Sequence, residues 1–225
     1  MTATREEIEE LLASHRFGYQ RVPLPHGLAT PGQDRSPTAE LVLPASPAGQ
    51  ERARRRLCAR LLLLRGRAAR GGTGRGDGRQ ASRLEEAKLL RDVLGSGVEF
   101  QKRDFLDDPI EESFDLVLAV NVIHHVPEPF AALRTLAGLT RERLALEFPT
   151  LGDFKFRRSA GIRRASRYDR LPLIGVSSLE EADQTFVYSR EAIRRVLVEH
   201  QPLFAKVQFI RSPFRDRLIA LCDKG

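Results

Sequence analysis

Two adjacent histidines, His124 and His125, follow an apolar run and are the residues of this chain best suited to moving a proton. An imidazole exchanges its proton near neutral pH, so a histidine at the open end of a strand can serve as a general base or line a substrate loop. Neighbouring side chains diverge, and no third ligand stands at a useful spacing, so no metal site is expected. Asn121 opens the same turn, where its amide either caps the backbone or meets a ligand. Two acids complete the set. Asp104 closes "VEFQKRD", and Glu147 sits inside "RLALEF", where a buried carboxylate needs a partner or a role.

Groups so scattered can act together only if strand ends bring them together. "FDLVLAVN" is continuously apolar, the pattern of a strand buried on both faces of a parallel sheet. "PEPFAALRTLAGL" is a helix with proline near its start, and "RLALEF" is a second buried strand. Strand, helix, strand in that order predicts a right-handed crossover and an α/β layer architecture. Upstream, Thr4 and Glu7 form a capping box for a helix over Arg5 to Ser14, and "RLEEAKLLRDVLG" predicts a helix stopped by Gly95. Downstream, a helix is predicted over Ser189 to His200. "LFAKVQFI" and "RLIALCD" then close the chain through the turn "RSPFRD", too short for anything but an antiparallel pair.

Charge is distributed unevenly. The 225 residues carry a net +7, yet Glu51 to Arg83 holds eleven arginines against two acids, a net of +9, which leaves −2 for the remainder. A second basic stretch, "RRSAGIRRASRYDR" from Arg157 to Arg170, has six arginines and one acid. It is either a solvated lid or a contact for a phosphate backbone. Cys58 and Cys222 give no disulfide framework or metal spacing, and no apolar run approaches membrane-spanning length. A reduced, cytoplasmic chain without a membrane segment is expected.

The segment Val98 to Thr150, with its strand–helix–strand order and the closing antiparallel hairpin, resembles the class I S-adenosylmethionine (SAM) dependent methyltransferases. "PHGLATPGQDR" and "TFVYSREAIRRVL" look, more closely, like the wobble-uridine tRNA methyltransferase family and its relatives. The resemblance implies a Rossmann-like α/β sheet, mostly parallel with a C-terminal antiparallel hairpin. Residues 1–44 form a helix and irregular lead-in, and 45–225 the methyltransferase-like domain, with a basic lid or insertion over 152–183. It implies SAM, or a modified form of it, as cofactor. Asp104 would accept the adenine amino protons, Phe105 would lie beside the ring, and Asn121 through His125 would line the site. His124 or His125 would be the base for methyl transfer to an oxygen on tRNA or a small molecule.

The chain departs from this pattern over residues 52–82. The resemblance requires a buried strand, an acid, a glycine-rich turn and a ribose-binding acid there, and the chain has arginines and "GGTGRGDG". Burying unpaired arginine costs several kcal/mol, so this stretch does not read as the missing strand. It is expected to derive from a shifted reading frame, because GC-rich DNA read out of phase yields Arg, Gly, Ala and Leu whatever the fold needs. Two further readings stay open: a catalytically inactive methyltransferase-like protein, and an RNA-binding module using the arginine-rich segments.

Overall fold

Along Arg143 to Phe148 the side chains alternate between the two sides of a strand, and every one from Leu144 onward is buried. Such a strand must sit inside a sheet covered on both faces. The computed structural model describes residues 3–43, 61–64, 77–103, 105–108, 110–177, 186–200 and 202–225. The chain divides into two compact units, Met1–Leu63 with Gly72–Lys102, and Leu64–Gly71 with Arg103–Gly225.

In the first unit, helix α1 (Arg5–Ser14) opens on the expected capping box. Thr4 Oγ1 accepts from the Glu7 N–H, and the Glu7 carboxylate accepts from the Thr4 N–H at 2.7 Å. The lead-in after it is held by Thr30, whose hydroxyl accepts from the Val22 N–H and donates to the Gln20 carbonyl. Helix α2 (Ser36–Val42) follows. Strand β1 (Leu61–Leu64) lies inside the arginine-rich stretch, where no strand is expected; its four consecutive leucines suit one, and it pairs with β2 (Phe100–Arg103), which helix α3 (Asp77–Val93) precedes. Helix α3 starts six residues before the expected Arg83. Arg79, Gln80 and Ala81 are good helix formers and extend it N-terminally. The other residues of 52–82, including the glycines of "GGTGRG", lie outside the described residues.

The second unit is built on a four-stranded sheet in the order β3–β4–β8–β7. Strand β3 (Phe114–Val120) crosses over through helix α4 (Pro129–Leu139) to a parallel neighbour, β4 (Thr140–Pro149). The last two strands, β7 (Lys206–Arg211) and β8 (Arg217–Asp223), form the expected antiparallel hairpin. It is β8, the final strand, that inserts beside β4. Composition explains why. "RLIALCD" is apolar on both faces and suits an interior position, whereas "KVQFIR" alternates with exposed polar residues and suits an edge.

Leu144, Leu146 and Phe148 join Val117, Ala119, Ala220 and Cys222 on one face of this sheet. Helix α4 and the helix α6 (Arg190–Arg194, continued as a wider π-type helix through His200) contribute to the same core, together with Phe105, Ile123, Val126, Tyr188 and Phe204. After β4, the described part of the stretch over 152–183 is held by local contacts. Asp153 caps the short helix α5 (Phe154–Ser159) by accepting from the Phe156 N–H. The Arg157 guanidinium donates to the carbonyls of Ile162 and Arg163. Strand β5 (Ile174–Val176) then pairs with β6 (Phe186–Tyr188), so local side-chain to backbone bonds replace the missing periodicity.

Candidate functional site

Strand β3 ends where Asn121 turns into the left-handed region, at φ +61°. Asparagine is among the few non-glycine residues that tolerate this conformation. Register sets Val120 beside Glu147, so the carboxyl ends of β3 and β4 lie together. Open α/β sheets receive their ligands at such an edge. The antiparallel strand β8 begins at the same edge. Its Arg217 stands opposite Pro149, and its guanidinium donates to Asn121 Oδ1. Glu147 stands opposite Ile219 and therefore shares a sheet face with Arg217. The fully buried Glu147 has the partner its position demands: Ser212, in the turn between β7 and β8, donates its hydroxyl to Glu147 Oε1.

The residues after Asn121 form a single 3-10 turn, Ile123–His125, and the two histidines leave it in different environments. His124 is 1% exposed, and its Nδ1 has no hydrogen-bond partner. Burial, reinforced by His125 and Arg217, holds its pKa down to about 2, so the ring stays neutral. His125 is exposed, with its ring centroid 4.1 Å from that of His124. Tyr188 fastens the turn from behind through a buried 3.0 Å bond to the Ile123 carbonyl. Burial raises the phenol's pKa, so Tyr188 acts as a donor and not as an acid.

Of the residues singled out from sequence, Asn121, His124 and His125 share one turn, and Phe105 is buried in the core that also holds Ile123 and Val126. Asp104 lies outside the described residues. Cys222 is buried, and desolvation pushes its thiol up to about 12, which removes it as a nucleophile. Among the described residues no group of three potential metal ligands occurs, and no helix is long and apolar enough to cross a membrane. Sequence reading missed Arg217, Ser212 and Tyr188. Each reaches the site through a pairing of 65 residues or more along the chain, and such a pairing leaves no local signal.

Comparison with known proteins follows the same lines. Residues 76–143 match the family profile described as a methyltransferase domain. The N-terminal domain of EvdMO1, solved with SAH bound, superposes over 100% of this chain and 98% of its own, with TM-score 0.56 at 15% identity. The same domain in the presence of SAH and D-fucose gives TM-score 0.57 at 15% identity over the same spans. The fold is that of the class I methyltransferases. Magnesium protoporphyrin IX methyltransferase from Synechocystis PCC 6803 with bound SAH matches more partially, at 19% identity and TM-score 0.44, over 64% of this chain. This chain spans 61% of that protein's length. No curated protein matches the sequence. Within this methyltransferase fold, the expected α/β class and the closing antiparallel hairpin are both present.

Proposed function

We propose that the chain is a SAM-dependent methyltransferase-like protein whose reaction is methyl transfer from SAM to an oxygen on tRNA or a small molecule. The observation that carries this reading is the Asn121–Arg217 pair at the carboxyl edge of β3, within a class I methyltransferase fold. The described residues fit such a cofactor. The oxygen of the Asn121 amide is taken by Arg217, so its nitrogen is a donor at the half-buried strand end that a bound molecule would satisfy.

SAM, when bound, supplies an electrophilic methyl group. The chain's own contribution is to bind and orient. Asn121 would contact the cofactor, Phe105 would back its ring from the core, and Asp104 would take the adenine amino protons. Exposed His125 is the better placed of the two histidines to receive the acceptor hydroxyl's proton, while neutral His124 shapes the turn. The tRNA acceptor is supported by the insertion, where Arg158, Arg163, Arg164, Arg167 and Arg170 are all exposed.

A catalytically inactive chain is the second reading, and one observation favours it. The family match begins at residue 76, after the stretch where the resemblance places the strand and glycine-rich turn of the cofactor cradle. A shifted frame over residues 52–82 would account for this. Calorimetric titration of the chain with SAM separates the readings: saturable heat supports the transferase, and its absence supports the inactive form. Synonymous codons over 50–83 that cannot yield a cradle sequence in the next phase would end the frame-shift explanation.

A further inference from the structure

We infer that Arg217 is a positioning residue that sets the direction of the Asn121 side-chain amide, so that this strand end presents hydrogen-bond donors and selects a bound molecule with an acceptor atom there. The inference deepens the transferase reading and rests on it only for the identity of that molecule. Its basis is local. A guanidinium carries five N–H donors and no acceptor, so only the oxygen of an amide can face it. Arg217 Nη1 donates to Asn121 Oδ1, which fixes the order of the two amide ends without reference to any ligand. The NH2 group must then point away from the Arg217 guanidinium. The Asn121 backbone, at φ +61°, leaves the strand at this residue in a conformation that asparagine tolerates. Arg217 is itself held in place by the β4–β8 register, opposite Pro149.

The consequence is chemical. A carbonyl, hydroxyl, carboxylate or ring nitrogen of a ligand can be received at Asn121, whereas an amino group meets donor against donor. Arg217, which need not touch the ligand, decides this polarity.

Three variants test it: Arg217→Met, Arg217→Lys and Asn121→Gly. Glycine accepts the positive φ, so Asn121→Gly removes the amide without straining the turn. The first measurement needs no ligand. In 15N-labelled chain, the side-chain NH2 resonances of Asn121 are compared in the original chain, Arg217→Met and Arg217→Lys. The expected result is a marked shift and a narrower separation of the two protons in Arg217→Met, with an intermediate effect in Arg217→Lys. Unchanged resonances in Arg217→Met overturn the inference, whether or not any ligand binds. The second measurement is titration with SAH. Asn121→Gly and Arg217→Met are each expected to weaken it by about tenfold, the worth of one good hydrogen bond, with unfolding midpoints nearly unchanged for Asn121→Gly. SAH binding undiminished in Asn121→Gly overturns the donor role. If the original chain does not bind SAH, the cofactor reading fails, and the resonance comparison still decides the positioning claim.

Discussion

The phenol of Tyr188, at the end of β6, donates a 3.0 Å hydrogen bond to the carbonyl of Ile123, in the turn that carries both histidines. The two groups are buried, so neither has water as an alternative. Tyr188→Phe keeps the ring and its edge-on packing against Phe148 but leaves the carbonyl without this donor. It should cost about 1–3 kcal/mol in urea unfolding. A midpoint equal to that of the original chain would show that the turn is held by other contacts.

His124 makes stability depend on pH in a calculable direction. Its pKa of about 2 in the fold lies below the ordinary 6.5. Above pH 6.5 both folded and unfolded chains hold the ring neutral, and its contribution is fully present. As pH falls below 6.5 the unfolded chain takes up a proton that the folded chain refuses, and stability declines by up to about 1.4 kcal/mol per pH unit until pH nears the folded value. His124→Phe should flatten the decline between about pH 4 and 6.5. Parallel curves for the two proteins would mean that the ring is protonated in the fold.

Gly175 is required by a close approach and not by a turn. A β-carbon there would lie 2.3 Å from Phe156 Cζ, 2.6 Å from Cε2 and 2.9 Å from Val187 Cγ2. Gly175→Ala should therefore loosen helix α5 from β5, at about 1–3 kcal/mol. The double variant Gly175→Ala with Phe156→Leu should recover part of that loss, since the shorter side chain vacates the space. Simple additivity of the two changes would rule out the contact as the cause.

Exposed arginines of the insertion give a prediction about salt. If they contact a phosphate backbone, tRNA binding should weaken steeply as salt rises. Changing Arg163, Arg164 and Arg167 to Gln should reduce the log–log slope by up to about 3, near 0.9 per lost contact. Changing Arg65, Arg67, Arg70 and Arg75 to Gln, which keeps β1 and α3, should leave that slope in place. Loss of binding in that variant, with no effect of the other three substitutions, would move the RNA contact to the first arginine-rich stretch.

Helix α1, the crossover β3–α4–β4 and the closing hairpin could all be read in advance, because each is written in local patterns: a capping box, continuous apolar runs, a proline at a helix start, a turn too short to cross over. The insertion could not. Its order comes from Asp153 capping α5 and from Arg157 reaching the carbonyls of Ile162 and Arg163, single contacts without a period. The start of α3 was placed late because the glycines just before it look like a loop that continues.

From the order of its residues alone, this chain specifies that β3 and β4 are parallel, that their ends carry Asn121 and Glu147, and that two histidines follow. Hydrophobic periodicity and chain connectivity act over short distances and can be seen without coordinates. Which histidine is buried, which way the Asn121 amide faces and what satisfies Glu147 were settled by folding. Burial and long-range strand register arise only when β8, nearly a hundred residues after β3, takes its place beside β4.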